Sequence, residues 1–417
     1  MRVKSILNEV EKYKDFVYER VRWQGEGTER ALVVEVRPRA HRPGCCSECG
    51  EPGPGYDRLP ARQFEYVPLW GVAVYFVYAL RRVQCPRCGV KVEAVPWAEG
   101  KQTLTRSYMR FLATWARRVS WQEVARFFHT SWEKVFHSVQ AQVEWGLAHR
   151  DLSGIQTLGI DETSWQRGHR YLTVVYQLDA PMRRLLWVGE RRTVETLQRF
   201  FQFFGEERTR QLRFICSDLW QPYLEVIAQY ARQAVHVLDR FHVALQMNKA
   251  IDQVRAEETQ ELRRQGFEPL LTRSRWCLLK RPEHLTAKEE VKLADLLKAN
   301  LRTVRAYLLK EDLQQVWAWT GVRLAAKYLH RWFHRALRSR LEPVKKVARM
   351  LQDHEPLLLN WFRANHQISS GPTEGLNNRL QLTMRKAYGF RTFRAAEVAL
   401  YHTLGALPEP EVTHKFC

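Results

Sequence analysis

The stretch TLGIDETSWQRGHRYLTVVYQLD, residues 157–179, contains two apolar strand-like runs on either side of a polar turn. Five further segments follow it: RLLWVGE at 184–190, VETLQRFF at 194–201, LRFICSD at 212–218, QPYLEVIAQYA at 221–231 and AVHVLD at 234–239. Their hydrophobic spacing indicates strand, helix, strand, helix and strand. Together these segments predict an α/β core built on a mixed sheet.

Three acidic residues stand at the ends of predicted core elements: Asp161 after TLGI, Asp218 after RFICS, and Glu374 within SSGPTEGLNNRL. Strand ends and a helix start would leave these carboxylates exposed. Phosphoryl transfer by two divalent ions needs a few carboxylates converging on metals about 3.5–4 Å apart. Hard oxygen ligands of this kind select Mg²⁺ or Mn²⁺.

Each of these acids also has a purely structural interpretation. Asp161 with Glu162 would be a solvated pair at a turn, and Asp218 would cap the helix that follows it. Glu374 would be a first-turn glutamate favoured by the helix dipole, with Pro372 at the first helical position. Their joint order, on an early strand, a later strand and a late helix of one core, favours the catalytic interpretation.

The segment LDRFHVALQMNK, residues 238–249, follows another apolar strand and carries Asp239 and His242. An imidazole there would shuttle a proton or bind a phosphate, or it would be a partly buried histidine with a structural role. For a lone histidine the structural interpretation leads.

Two tight cysteine pairs, Cys46-Ser-Glu-Cys49 and Cys85-Pro-Arg-Cys88, are each followed by glycine. Paired knuckles of this kind present four thiolates to one tetrahedral Zn²⁺. Four thiolates leave no open position for water, so the predicted ion is structural. The alternatives are that these are ordinary small buried residues, or that Cys45 pairs with Cys49 in place of Cys46.

Residues 121–128 and 132–143 predict two helices joined by a short turn, with Ser131 as the N-cap of the second. A buried set would hold them as a helix-turn-helix: Val124, Ala125, Trp132 and Val135. The second helix would then enter the major groove of DNA. Ser131, Trp132 and Lys134 at its start are the candidate DNA contacts. The alternative is an ordinary helical hairpin within a core.

The chain of 417 residues carries 66 Lys and Arg against 45 Asp and Glu, a formal net charge of +21. This excess favours a polyanionic partner, and double-stranded DNA is the first candidate. The longest apolar run, residues 72–80, is far shorter than the roughly 20 residues that span a bilayer, so we predict no membrane partner. The charged N-terminus and the reduced cysteine pairs predict a cytoplasmic protein.

These patterns predict a multidomain α/β protein. The ranges are a β-rich zinc-binding module at 1–100, a helix-turn-helix domain at 101–150, the first part of the core at 151–244, an all-helical insertion at 245–365, and a C-terminal part of the core with the catalytic glutamate at 366–417.

Several motifs together resemble those of the DDE transposases of bacterial ISL3 insertion sequences. They occur in family order and cover nearly the whole chain: CSECG, CPRCG, VSWQEVARFF, GIDETSW, CSDLWQPY, LDRFHV, GPTEGLNNRL and RKAYGFRTF. The resemblance implies an RNase H-like catalytic core interrupted by a helical insertion. It implies that Asp161, Asp218 and Glu374 form the triad that holds two Mg²⁺ or Mn²⁺ ions, with Asp239 and His242 as accessory residues.

On the helix of Glu374, the resemblance and the helical spacing make Asn377, Asn378 and Arg379 candidates for orienting the glutamate or contacting DNA. The implied function is binding of the terminal inverted repeats of an insertion sequence, followed by strand cleavage and transfer into target DNA. Arginines of the basic insertion would grip phosphates, and synapsis of two ends would need a homodimer or a larger assembly. The alternatives are a non-catalytic zinc and helix-turn-helix regulator, a decayed transposase kept for binding, and a hydrolytic RNase H-like nuclease or resolvase.

Overall fold

The computed structural model describes residues 3–166, 168, 170–267, 271–299, 301–364, 368 and 371–410. The chain divides into two compact units. The first comprises Met1–Asp151 and Leu380–Cys417, and the second comprises Leu152–Arg379. Each unit has a hydrophobic core of its own.

Both units combine helices with strands. The strands are β1 Phe16–Gln24, β2 Ala31–Pro38, β3 Gly44–Cys45, β4 Pro52–Gly53, β5 Gly55–Arg58, β6 Arg62–Leu69, β7 Val72–Tyr78, β8 Arg81–Cys85, β9 Gly89–Val92, β10 Thr157–Gln166, β11 Arg170–Gln177, β12 Arg184–Glu190, β13 Phe214–Ser217 and β14 Val235–Leu238. The helices are α1 Val3–Val10, α2 Arg106–Ala116, α3 Trp121–Phe127, α4 Trp132–His149, α5 Val194–Phe204, α6 Glu206–Arg210, α7 Gln221–Tyr230, α8 Arg240–Arg264, α9 Arg275–Leu279, α10 Ala287–Leu297, α11 Arg302–Gln314, α12 Val322–Leu337, α13 Glu342–Asp353, α14 Glu355–Arg363, α15 Gly371–Lys386 and α16 Phe393–Leu404. The predicted mixed α/β, multidomain character is therefore confirmed.

The N-terminal sheet of the first unit has the strand order β1-β2-β7-β6. Alternate residues of β7 face its core, because successive side chains of a strand point to opposite faces. The centre of that core is Trp97, which is fully buried. Phe16 and Tyr78 meet its ring edge-on, with centroids 4.9 and 5.4 Å away. Such aromatic packing supplies large apolar burial in a small sheet.

Helices α2, α3 and α4 follow this sheet in the first unit. Ser120 begins α3 with a capping box, in which its hydroxyl accepts from the Glu123 N–H while the Glu123 carboxylate accepts from the Ser120 N–H. Helix α16 packs against α4 through its small and apolar face. This packing assigns the chain from Leu380 onward to the first compact unit. The five domain ranges predicted from sequence stay predictions, and their last residues, 411–417, lie outside the described part of the chain.

The sheet of the second unit has the strand order β12-β11-β10-β13-β14. Strands β10, β11 and β12 pair antiparallel, whereas β13 and β14 join in parallel. Helix α7 connects β13 to β14 and supplies the crossover that a parallel pair requires. The core of this unit contains Phe200, Phe204 and Tyr223 from α5 and α7, each at most 1% exposed.

Helices α8 to α14 occupy the described residues between β14 and α15. The start of α11 is held by the buried Glu258 of α8, whose carboxylate accepts hydrogen bonds from the N–H groups of Arg302 and Thr303 at 2.7 and 2.8 Å. A carboxylate at a helix N-terminus satisfies otherwise free N–H groups and complements the dipole. In the described ranges, no helix is long and apolar enough to cross a bilayer.

Candidate active site

Three aspartates lie at the carboxyl edge of the parallel strands in the second unit. The pairing of β10 with β13 ends two residues before Asp161. The pairing of β13 with β14 ends at the residues directly before Asp218 and Asp239. The carboxyl ends of parallel strands meet at one edge of a sheet, where ligands commonly bind. The topology therefore brings together acids that are far apart in sequence.

The expectation that strand ends would expose Asp161 and Asp218 is wrong. Asp161 is 8% exposed and Asp218 is 7% exposed. For Asp161 the reason is that β10 continues to Gln166, so this residue lies inside the strand, opposite Val174 of β11. Buried carboxylates need hydrogen-bond or charge partners.

Asp161 is held by hydrogen bonds to both of its carboxylate oxygens. Oδ1 accepts from the backbone N–H of Glu162 at 2.7 Å, and Oδ2 accepts from Nδ2 of Asn377 at 2.5 Å. The hydroxyl of Tyr176, a fully buried residue of β11, donates to Oδ1 of Asn377 at 2.8 Å. Asn377 therefore ties α15 to two strands of the sheet.

Helix α15 carries Glu374 in its first turn, three residues before Asn377. Residues three apart share a face of a helix, so the bond from Asn377 to Asp161 turns the Glu374 side of the helix towards that aspartate. Glu374 itself is exposed. Asn378 is also exposed, although it is the immediate neighbour of Asn377.

Gly159 allows α15 to approach β10 closely. A Cβ atom at this position would lie 2.8 Å from the hydroxyl oxygen of Thr373 and 3.0 Å from Leu178. Thr373 directly precedes Glu374, so the missing side chain of Gly159 makes room for the start of the helix that carries the glutamate.

Asp218 is fixed from its own loop and from the segment that follows β12. Its Oδ1 accepts the backbone N–H of Trp220 at 3.1 Å, and its Oδ2 lies 3.4 Å from Nη2 of Arg192. The Arg192 guanidinium also pairs with Glu162 and lies over the Trp220 ring, 4.2 Å from its centroid. One arginine thus bridges two carboxylates while its flat face packs on an indole.

His242 lies in the first turn of α8, facing two aspartates. Its Nε2 is 3.7 Å from Oδ1 of Asp161 and 4.0 Å from Oδ2 of Asp239. Asp239 also begins the helix, since its carboxylate accepts the N–H of Phe241 at 2.8 Å. Burial lowers the pKa of His242, but the nearby carboxylates outweigh it and raise the pKa overall.

The pKa values of two carboxyls in this site are raised. Burial, followed by the charge of Asp218, raises the pKa of Glu162 to about 7, against the lowering effect of Arg192. Burial also raises the pKa of Asp218. Uncompensated negative charge is costly in a desolvated site, and a bound cation would relieve that cost. The oxygen donors, which suit hard divalent ions, fit the predicted metals.

The structure thus brings Asp161, Asp218, Asp239 and His242 together, and Asn377 with them. Among the described residues, no hydrogen bond or ion pair joins the exposed Glu374 to the others, and the three triad carboxylates do not gather as tightly as the cysteine sulfurs described next. Sequence reasoning missed Arg192 altogether. It lies in a run of two arginines after β12, where no pattern links it to Glu162 or Asp218.

The cysteine pairs of the first unit form a compact cluster. The sulfurs of Cys46, Cys49, Cys85 and Cys88 all lie within 4.8 Å of one another, and Cys45 is outside the set. Tetrahedral Zn–S bonds of about 2.3 Å separate sulfurs by about 3.8 Å, which the cluster can match. This geometry favours Cys46 over Cys45 as the partner of Cys49.

Local backbone shapes these knuckles. The glycines after each pair, Gly50 and Gly89, have φ of +73° and +74°, a region that side chains other than glycine rarely adopt. The N–H of Cys88 lowers the pKa of the Cys85 thiol to about 7, whereas the hydrogen bond with Cys49, burial and the other sulfurs raise that of Cys88 to about 12. A cation between the four sulfurs would be needed to hold all of them as thiolates.

The predicted helix-turn-helix residues lie on α3, α4 and the turn between them. Ser131 caps α4, since its hydroxyl accepts the Lys134 N–H at 3.3 Å. Lys134 forms an ion pair with Glu65. The expectation that Trp132 belongs to the buried set is wrong, since it is 41% exposed. It lies in the first turn of α4, and one face of its ring stacks on Phe136 with centroids 5.4 Å apart.

The remaining members of that set, Val124, Ala125 and Val135, are buried. Arg379, the DNA-contact candidate outside this region, is exposed on α15 in the second unit.

Comparison with known proteins places these features in a family. The chain matches the family of ISL3-type DDE transposases, described as transposase, over residues 158–400, which is more than half of its length. It is 27% identical over 391 residues to the transposase for insertion sequence element IS1001 of Bordetella parapertussis, covering 93% of this chain and 95% of that protein. It is 30% identical over 391 residues to the transposase for insertion sequence element IS1557 of Mycobacterium tuberculosis strain H37Rv, covering 87% of this chain and 86% of that protein. The resemblance found in the sequence motifs is confirmed, and the chain belongs to the ISL3 family of DDE transposases, which are DNA-cleaving enzymes.

Proposed function

We propose that Asp161, Asp218 and Glu374 form the catalytic triad, holding two Mg²⁺ or Mn²⁺ ions at the carboxyl edge of an RNase H-like core. The reaction is cleavage at the terminal inverted repeats of an insertion sequence and transfer of the freed strand into target DNA. The observation that carries this proposal is the hydrogen bond from Asn377 to Asp161, which joins the helix of the glutamate to the strand of the first aspartate. The strand order β12-β11-β10-β13-β14 supports the RNase H-like assignment.

The protein's part in the reaction is to hold its carboxylates in place. Asp161, Asp218 and Glu374 would hold two divalent ions, which would activate the attacking oxygen and stabilise the leaving oxygen. Asn377 and the N–H of Glu162 orient Asp161, and the N–H of Trp220 orients Asp218. Arg192 helps to hold the second aspartate and Glu162 in place, since its guanidinium pairs with both carboxylates and packs on Trp220.

We infer that the first unit recognises DNA. The cysteine cluster would hold one structural Zn²⁺ through Cys46, Cys49, Cys85 and Cys88, and helices α3 and α4 would act as a helix-turn-helix. Ser131, Trp132 and Lys134 at the start of α4 are the proposed contacts there, with Arg379 contacting DNA near the glutamate. Two copies would hold the two ends of the element, in the cytoplasm where that DNA lies.

A cleavage assay on duplexes that contain the gene's own flanking DNA tests the triad. Asp161→Asn, Asp218→Asn and Glu374→Gln should each abolish cleavage and spare DNA binding, because each change removes a ligand charge and keeps the shape. Glu195→Gln is the matched control, since Glu195 is also an exposed glutamate in the first turn of a helix. Wild-type cleavage by Glu374→Gln would remove it from the triad.

Mobilisation in cells tests the full reaction. A marker flanked by the gene's native flanking DNA should move with the wild-type protein and stay in place with Glu374→Gln. If the wild-type protein binds the flanking ends but neither cleaves nor mobilises them, the chain is a decayed transposase retained for binding.

A further inference from the structure

Helix α12 of the second unit is unusual in charge. The segment GVRLAAKYLHRWFHRALRSRL, residues 321–341, contains six Lys and Arg and no Asp or Glu. The neighbouring helices differ: α11 and α13 each mix acidic and basic side chains. A solvated helix face usually carries charges of both signs. Solvation alone therefore does not explain why every charged residue of α12 is basic.

The basic side chains of α12 form a line on one face. Each residue turns an α-helix by about 100°, so five positions fall within an arc of about 80° and span about 22 Å along the axis. These positions are Arg323, Lys327, Arg331, His334 and Arg338, all exposed, and we call them the α12 stripe. The buried residues Leu329, Trp332 and Ala336 lie on the opposite side of the helix.

The structure neutralises the cations beside the α12 stripe but not those within it. His330 pairs with Glu355 at 2.8 Å, and Arg335 pairs with Asp312. Within the described ranges, Arg323, Lys327 and Arg338 have no acidic partner.

The helix dipole accounts for only part of the stripe. It favours cations near the C-terminus of α12, where His334 and Arg338 lie, but disfavours Arg323 in the first turn by about 0.3–1 kcal/mol. The charge of Arg323 therefore serves something other than the stability of the helix.

We propose that the α12 stripe binds the phosphate backbone of double-stranded DNA. This inference rests on the proposed action on DNA ends and target DNA, and it specifies where the helical insertion contacts them. Duplex DNA carries a phosphate every 3.4 Å of axis on each strand, so a line of about 22 Å matches about six base pairs. The contact is with phosphates, so it is independent of base sequence.

The salt dependence of DNA binding tests this proposal. The stripe variant carries Arg323→Gln, Lys327→Gln and Arg331→Gln. The control variant carries Arg263→Gln, Lys288→Gln and Arg305→Gln, which removes the same charge from exposed positions of other helices of the insertion. Each protein is titrated against a duplex of the flanking end and a random duplex of equal length, over a range of salt concentrations.

Loss of three phosphate contacts should reduce the slope of log affinity against log salt by about 2.7, at about 0.9 per contact. Between about 50 and 200 mM salt, wild-type affinity should therefore fall about 40-fold more than that of the stripe variant. The effect should be equal on both duplexes, and the control should keep most of the wild-type slope. Arg323→Lys with Arg331→Lys should also keep the slope, which separates charge from packing.

Equal salt slopes for the stripe and control variants would overturn the proposal. A reduced slope on the flanking-end duplex alone would also overturn it, because that result indicates contacts with bases. Failure of the triad is distinguishable, because cleavage by Glu374→Gln is a separate measurement from the salt slope of binding. If the stripe variant keeps the wild-type salt slope, the triad proposal is unaffected. If Glu374→Gln cleaves at the wild-type rate, the stripe proposal is unaffected.

Discussion

Replacing Asn377 by leucine removes the hydrogen bonds that tie α15 to the sheet and changes the side-chain volume little. Two partners then lose a bond: Oδ2 of Asp161, at 2.5 Å, and the hydroxyl of Tyr176, at 2.8 Å. A hydrogen bond to a charged group contributes about 1.5–3 kcal/mol, and a buried hydroxyl left without a partner costs about 1–3 kcal/mol. Since leucine recovers part of this by apolar contact, we expect the free energy of unfolding to fall by about 3 kcal/mol.

Cleavage should fall as well, because Asp161 loses the group that orients it. Loss of a group that orients a metal ligand typically lowers activity or metal affinity by about 10–100-fold, and we expect a fall in that range. Asn378→Leu is the matched control, since Asn378 is exposed and adjacent. It should leave both quantities near the wild-type values.

Cleavage is measured in single turnover at saturating metal. The free energy of unfolding is measured in urea, with hydrogen exchange at the amides of β10 and β11 as the probe. Exchange is needed because two compact units can unfold separately. Tyr176→Phe removes the orphaned hydroxyl, so the double variant with Asn377→Leu should be less destabilised than the sum of the singles by about 1 kcal/mol. Additive effects, or equal cleavage by Asn377→Leu and Asn378→Leu, would refute the reasoning.

Three further outcomes are expected. Gly159→Ala should lower the cleavage rate, because its Cβ would lie 2.8 Å from the Thr373 hydroxyl oxygen. Adding Thr373→Ala should restore the rate. A double variant as slow as Gly159→Ala would contradict the argument from close approach. Metal analysis should find one Zn²⁺ per chain in the wild-type protein and in Cys45→Ser, and none in Cys46→Ser. Cys46→Ser should also destabilise the first unit. Burial lowers the pKa of His236 to about 4, below about 6.5 in the unfolded chain. The stabilisation that comes from neutral His236 is therefore complete above about pH 6.5 and is lost as pH falls towards 4, so the free energy of unfolding should fall by about 2 kcal/mol between pH 7 and pH 5. His236→Gln should reduce this fall, as measured by urea unfolding at the two pH values. An equal fall in the variant and the wild-type protein would contradict the assignment.

Much of the site was predictable from local sequence. The two C-x2-C-Gly knuckles, the Ser131 cap and the helix beginning near Pro372 depend on residues close together in the chain, so spacing and capping preferences were sufficient. The family was also recognisable, because its motifs are short and occur in a fixed order. Exposure of Asp161 and Trp132 was mispredicted, since burial depends on what packs over a residue and not on its neighbours in sequence.

The arrangement of the site arises from long-range contacts. The pairing of β10 with β13 and of β13 with β14 brings Asp161, Asp218 and Asp239 to one sheet edge. The distinction between Asn377 and Asn378 follows from the rotation of α15 against β10, which the bond to Asp161 fixes. The bridge made by Arg192 depends on where β12 ends in space relative to β10 and β13. Sequence specified the residue types and the local elements, because propensity and spacing are local; packing of distant strands and helices selected which side chains meet.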